Sequence, residues 1–114
     1  MPARYVLFFG DHELGTVEPS EVGFPNSAGK LTLAREAWEG PTGGRLREYF
    51  DYCLEADQIF LEEGEEPWQD FIAEREPDLA GVIDSEAWRL VKEDGTSEPI
   101  TAPLFYLDGT LGWR

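Results

Sequence analysis

The sequence predicts an α+β fold in which N- and C-terminal strands form an antiparallel or mixed β-sheet and two central helices pack on one face. Short apolar runs separated by turn residues occupy both ends of the chain, whereas apolar residues recur at helical spacing in the middle. A chain of 114 residues suffices for one hydrophobic core. The prediction is therefore a single acidic domain over residues 1–114.

The N-terminal part predicts three strands. Tyr5–Phe9 is a continuous apolar run that ends at a Gly-Asp pair, as expected of a buried and central strand. Residues 14–18 are predicted to pair back onto it as a short edge strand that Pro19 ends. Residues 24–29 have turn chemistry, and residues 30–34 alternate polar and apolar side chains as a half-buried strand does.

The middle of the chain predicts two helices. A Gly-Pro-Thr-Gly-Gly segment at residues 40–44 is predicted to separate the strands from a helix over residues 45–61. The apolar face of that helix comprises Leu46, Tyr49, Phe50, Cys53, Leu54, Phe60 and Leu61. A Glu-Glu-Gly sequence then ends it, and a second helix is predicted to begin near Pro67 and to stop at Pro77.

The C-terminal part predicts strands and turns. Residues 87–92 form the first predicted strand, and a short run lies near Ile100. Residues 104–107 and 110–113 are predicted to pair through an Asp-Gly turn, which is a hairpin signal. The core or sheet-face residues are predicted to include Trp38, Trp88 and Trp113.

The charge of the chain is concentrated. Of the net charge of −15, ten units fall within residues 48–76, where eleven carboxylates accompany one base, Arg75. Such a field repels nucleic acid and anionic membrane surfaces, so neither is a predicted direct partner. A basic protein or a cation is the expected counterpart, and the alternative is that the acidity is only solubilising or salt-adaptive.

The cytoplasm is the predicted location. Cys53 is the single cysteine, which favours a reducing compartment. The N-terminal apolar run is too short for a signal sequence, and no stretch is long enough to span a membrane. The oligomeric state is left open by the sequence.

No catalytic or cofactor motif is complete, so no cofactor is predicted. The phosphatase-type motif Asp-x-Asp-Gly-Thr would need an aspartate where Tyr106 stands. His12 lacks a second histidine for a metal site, and no nucleophile is paired with it by spacing. Asp57 falls in the middle of the apolar helix face, where we expect an Arg, such as Arg4 or Arg89, or another hydrogen-bonding partner to satisfy it.

The opposite face of the first helix carries the candidate site. Carboxylates form a narrow stripe there, and Tyr52 and Ile59 beside it are predicted to lie away from the core as apolar anchors. The interhelical loop and the outer side of the second helix extend the stripe. The predicted partner-binding residues are Glu48, Asp51, Tyr52, Glu55, Ile59, Glu62, Glu63, Glu65, Glu66, Asp70 and Glu74.

Three functions remain as interpretations of this pattern. The favoured one is a small acidic binding module that docks on a basic protein, in the manner of an inhibitor, an immunity protein or a nucleic-acid mimic. The second is a small enzyme or divalent-cation-binding protein that uses His12, Asp57 and nearby acids. The third is a structural domain without a separable activity.

Overall fold

The computed structural model of the protein describes residues 4–21, 27–101 and 103–113. The described residues form seven strands and two helices: β1 (Tyr5–Phe9), β2 (His12–Glu21), β3 (Ser27–Leu33), α1 (Gly40–Glu63), α2 (Glu65–Ile83), β4 (Trp88–Val91), β5 (Ser97–Pro99), β6 (Leu104–Phe105) and β7 (Thr110–Trp113). The strands make one sheet in the order β5-β4-β1-β2-β3-β7-β6, and every neighbouring pair is antiparallel. The predicted α+β fold is confirmed.

The first strand is central, as predicted. β1 lies between β4 and β2, and Leu7 is opposite Leu90 in the β1–β4 pair. Both side chains are buried, as is Trp88 at the other end of β4. Since side chains alternate between the faces of a strand, Trp88 and Leu90 share the face on which the helices pack.

The second strand differs from its prediction. β2 is ten residues long and lies between β1 and β3, whereas a short edge strand ending at Pro19 was predicted. Pro19 is opposite Gly29, and the register shifts between Pro19 and Glu21. A proline is tolerated at such an irregularity because few ladder hydrogen bonds depend on it there. Of the predicted turn at residues 24–29, residues 24–26 lie outside the described residues, and 27–29 belong to β3.

The predicted C-terminal strand and hairpin are confirmed, but the strand predicted at residues 104–107 ends at Phe105, and the run predicted near Ile100 corresponds to β5, which ends at Pro99. Residues 88–91 form β4, and β6 and β7 pair through the turn that contains Asp108 and Gly109. Gly109 has φ +86°, a conformation that other residues rarely adopt, and Asp108 Oδ1 accepts a hydrogen bond from the Thr110 N–H at 3.0 Å. β7 also pairs with β3, so the C-terminal hairpin joins the same sheet beside the N-terminal strands.

The first helix begins five residues before its prediction. The segment at residues 40–44, which was predicted to separate strand from helix, forms the start of α1. Pro41 suits a first helical turn. A Cβ on Gly43 would lie 2.4 Å from the carbonyl carbon of Trp38, so glycine permits the helix to start directly against the preceding turn. Packing therefore outweighs the low helix propensity of these glycines.

The second helix passes through its predicted end. α2 continues beyond Pro77 to Ile83, although a proline inside a helix costs about 3 kcal/mol. The turns after Pro77 carry Leu79 and Val82, which are buried in the core. Trp88 Nε1 also donates a hydrogen bond to the Val82 carbonyl at 2.9 Å. These contacts with the sheet offset the cost of the proline.

Aromatic contacts join α1 to the sheet. The Tyr49 ring lies 6.0 Å from both Trp88 and Phe105, and its hydroxyl donates to the Pro103 carbonyl at 2.7 Å. Leu46 and Cys53 are buried as predicted, whereas the predicted core residues Phe50 and Leu54 are half-buried. Among the tryptophans predicted to be in the core, Trp88 and Trp113 are buried and Trp38 is partly buried.

The last two turns of α1 depart from the predicted apolar face. Phe60 and Leu61 were placed on the core side, yet they are 47% and 69% exposed. No residue of α1 beyond Ala56 is buried. The Phe60 ring packs edge-on against Trp68 of α2 at 5.5 Å, so the end of the helical hairpin covers its apolar residues only in part.

Candidate functional site

The nine carboxylates of the predicted site are all exposed on α1 and α2. We call them the acidic surface: Glu48, Asp51, Glu55, Glu62, Glu63, Glu65, Glu66, Asp70 and Glu74. Glu48 pairs with Arg45 at 2.8 Å and Asp51 lies 3.9 Å from Arg47. None of the other seven forms an ion pair with a residue that the structure describes. The uncompensated charge therefore lies from Glu55 onward, around the junction of the helices.

The two predicted apolar anchors are not both available. Tyr52 is only 7% exposed, because its ring stacks on Phe71 of α2 at 5.7 Å, and its predicted place away from the core is wrong. Ile59 is half-buried. The prediction assumed that α1 packs through a single apolar face. In the structure, α2 covers a second side of α1, and Tyr52 lies on that side.

An apolar groove opens between the helices and β6, on the side of α1 that carries Asp57 and Phe60. Its walls are Phe60 of α1, Trp68 and Ile72 of α2, and Leu104 and Tyr106 at β6, and its volume is about 340 Å³. We call it the aromatic groove. Phe60, Leu104 and Tyr106 are large apolar side chains that remain exposed at its mouth, although Tyr106 also carries a hydroxyl. An apolar depression of this kind is typical of a binding site.

Asp57 is the charged residue that lines the aromatic groove. It is half-buried, and its Oδ2 accepts a hydrogen bond from the Leu107 backbone N–H at 3.0 Å. The predicted hydrogen-bonding partner is thus confirmed. The cations suggested for it are wrong, because Arg4 pairs with Glu18 at 3.3 Å and Arg89 donates to the Gly10 carbonyl at 3.0 Å.

Raised pKa values favour the neutral forms of Tyr52, Cys53 and Tyr106, which line the groove. Burial, and then the charge of Asp57, raise the pKa of Tyr106 above its usual value. Burial raises the pKa of Tyr52 to about 12 and that of the Cys53 thiol to about 11. Since the thiolate is the nucleophilic form, Cys53 is unreactive near neutral pH.

His12 lies apart from Asp57. Its Nε2 is 2.7 Å from the Ala37 carbonyl oxygen, which can only accept, so Nε2 carries the proton and donates. His12 shares a depression with Thr42 at the start of α1. Asp57 lies fifteen residues after Thr42 in α1, which corresponds to a rise of about 22 Å along the helix axis. The two groups cannot act on one substrate atom.

Comparisons of the chain with protein families, with curated proteins and with solved structures found no match. Within the described residues, no three His, Cys, Asp or Glu side chains are grouped so as to hold a metal ion. Neither α1 nor α2 carries an apolar stretch of the length that crossing a membrane requires, in the part of the chain described.

The aromatic groove was not predicted from the sequence. Its walls come from three elements that are separated along the chain, and the position of β6 beside the helices depends on the whole strand order. One local signal was present: Trp68 and Phe60 lie on either side of a short break at Gly64, which has φ +97°. Large apolar residues that flank a tight interhelical turn indicate a contact at the end of a hairpin.

Proposed function

We propose that this protein is a binding module whose acidic surface docks on a basic protein. The observation that supports the proposal most is the exposure of seven helical carboxylates that form no ion pair within the part of the chain that the structure describes. Charge of one sign accelerates and orients encounter, while an apolar depression retains what has docked. In this proposal the groove supplies the apolar contact, which the sequence pattern had assigned to Tyr52 and Ile59.

The expected partner is a protein with a cationic functional surface. A row of exposed carboxylates on paired helices resembles a phosphate backbone in charge and can occupy a site that binds nucleic acid. An inhibitor or immunity protein for a nuclease-like toxin, or a nucleic-acid mimic, fits this logic, and we expect it to act in the cytoplasm. The function of this protein is then to block its partner by covering the partner's cationic surface.

Two triple variants test the proposal. The first reverses charge in the acidic surface, as Glu62→Lys, Glu66→Lys and Asp70→Lys. The control changes the total charge equally at exposed positions outside both helices, as Glu13→Lys, Glu36→Lys and Glu86→Lys. Each protein is immobilised and exposed to host lysate, and the retained proteins are identified, purified and measured by surface plasmon resonance at several salt concentrations.

The expected result is one basic protein that the wild type and the control retain and that the acidic-surface variant does not. Its association with that variant should be slower by about tenfold or more at low salt, with a flatter salt dependence. Circular dichroism checks that all three proteins are folded. Equal effects of the two triple variants would reject the proposal, and so would the absence of any basic protein that the wild type and the control retain and the acidic-surface variant does not.

A further inference from the structure

The lining of the aromatic groove restricts what it can hold. A wholly apolar occupant would remove water from the Asp57 carboxylate without replacing its hydrogen bonds, which is unfavourable. An anion would be repelled by Asp57 and by the surrounding field. A small hydrated cation would gain nothing from the walls of Phe60, Trp68 and Tyr106. The occupant that uses both features has a cationic end and an apolar or planar body.

Arginine has this chemistry to a greater degree than lysine. Its guanidinium group is planar, weakly hydrated and able to stack on aromatic rings while it donates to a carboxylate. The stacking part of this contact occurs elsewhere in this chain, where the Arg89 guanidinium lies 4.3 Å from the centroid of the Phe8 ring and donates to the Gly10 carbonyl. The aromatic walls of the groove therefore resemble the ring surface on which this protein already holds an arginine.

The Asp57 carboxylate retains capacity for a further donor. The Leu107 N–H donates to Oδ2, and no other described residue donates to either oxygen. Carboxylate oxygens have several acceptor sites, so Oδ1 remains able to accept from an incoming N–H group. The volume of about 340 Å³ lies within the roughly 300–1,000 Å³ of ligand pockets, which leaves room for a long side chain and part of a neighbouring one.

We propose that the aromatic groove receives an arginine side chain of the basic partner, with its guanidinium stacked on the aromatic walls and donating to Asp57. This inference rests on the proposed function, which it extends by naming the residue of the partner that is bound. The acidic surface then governs the rate of encounter, and the groove governs how long the complex lasts.

The test uses the full chain and short peptides. Isotope-labelled protein is titrated with acetyl-Leu-Arg-Leu-amide, with the same peptide carrying neutral citrulline in place of arginine, and with the lysine peptide. The signals followed by NMR are the Trp68 indole N–H and the Leu107 amide. The arginine peptide should bind about fivefold more tightly than the citrulline peptide, as expected for one partly exposed charge pair, and more tightly than the lysine peptide.

Two variants with the same loss of charge complete the design. Asp57→Asn should bring the arginine and citrulline peptides to equal affinity, while its side-chain oxygen can still accept from the Leu107 N–H. Asp84→Asn, at an exposed position just after α2, should leave the preference for arginine unchanged. If Asp57→Asn does not fold, the order of the three peptides on the wild type decides the question alone.

Several outcomes overturn the inference. Equal binding of the arginine and citrulline peptides to the wild type would exclude a charge-selective groove. Lysine binding as tightly as arginine would exclude recognition by stacking, and signals that move only on the acidic surface would place the peptide elsewhere. In each case the triple charge reversal can still slow partner association. The proposed function can also fail alone, if the groove selects arginine and charge reversal changes nothing.

Discussion

The two halves of the helical hairpin differ in whether their apolar residues are buried. The near half, residues 40–56 with residues 79–83, buries Leu46, Tyr49 and Val82 against the sheet. The far half, residues 57–72, leaves Phe60 and Leu61 exposed although they follow the same helical spacing. The difference lies in what covers each half. Tyr49 of the near half packs against Trp88 and Phe105 of the sheet, whereas the far half meets the edge of the sheet at β6 across the open aromatic groove.

The two halves also differ in whether their carboxylates have basic partners. In the near half, Arg45 pairs with Glu48 and also donates to the Asp78 backbone carbonyl, and Arg47 lies near Asp51. In the far half, the carboxylates have no basic partner among the described residues. Stability is thus concentrated where the helices meet the sheet, and the carboxylates without a basic partner are concentrated at the other end.

The largest expected contrast is between two leucine substitutions in α1. Leu46→Ala removes a buried side chain and should cost about 2 to 5 kcal/mol of unfolding free energy. Leu61→Ala makes the same chemical change at an exposed site and should stay within about 0.5 kcal/mol of the wild type. Urea unfolding measures both. Similar losses for the two variants would contradict the division between the halves.

A smaller effect is expected from the titration of Cys53 in the near half. Burial raises the pKa of this thiol from 9.0 to about 11, so folding favours the protonated form. Its contribution to stability is complete below pH 9 and is lost as the pH rises towards 11. Between pH 8 and pH 10.5, the wild type should lose about 2 kcal/mol more than Cys53→Ala does.

Urea unfolding at the two pH values provides that comparison. The absolute cost of Cys53→Ala at pH 8 reports the packing of the side chain, whereas the change with pH reports only the titration. Equal losses of stability in the two proteins would show that the thiol does not resist ionisation in the folded state.

The smallest expected effect tests the charge along the exposed side of α2. Glu66, Asp70 and Glu74 follow one another at four-residue spacing on α2, where like charges repel. Asp70→Lys turns two repulsive pairs into attractive ones and should raise the unfolding free energy by about 0.5 kcal/mol. The gain should largely vanish in 1 M salt, where exposed charges are screened. A gain that salt leaves unchanged would have a cause other than charge.

The sequence by itself determined the features that depend on neighbouring residues. An apolar run bounded by turn residues located β1, an Asp-Gly pair located the β6–β7 hairpin, and helical periodicity located α1 with Leu46 inside and Glu55 outside. These outcomes follow from local backbone preferences and from the repeat of each element. The concentration of negative charge on exposed helical positions was readable for the same reason.

Only the tertiary structure decided those features in which contacts between distant residues override local preferences. The place of β2 between β1 and β3, the passage of α2 through Pro77 and the burial of Tyr52 all depend on contacts made by residues distant along the chain. The aromatic groove is the same kind of feature, because β6 reaches the helices only through the complete strand order. Local preferences amount to about 1 kcal/mol per residue, and burial against a distant surface contributes more than that.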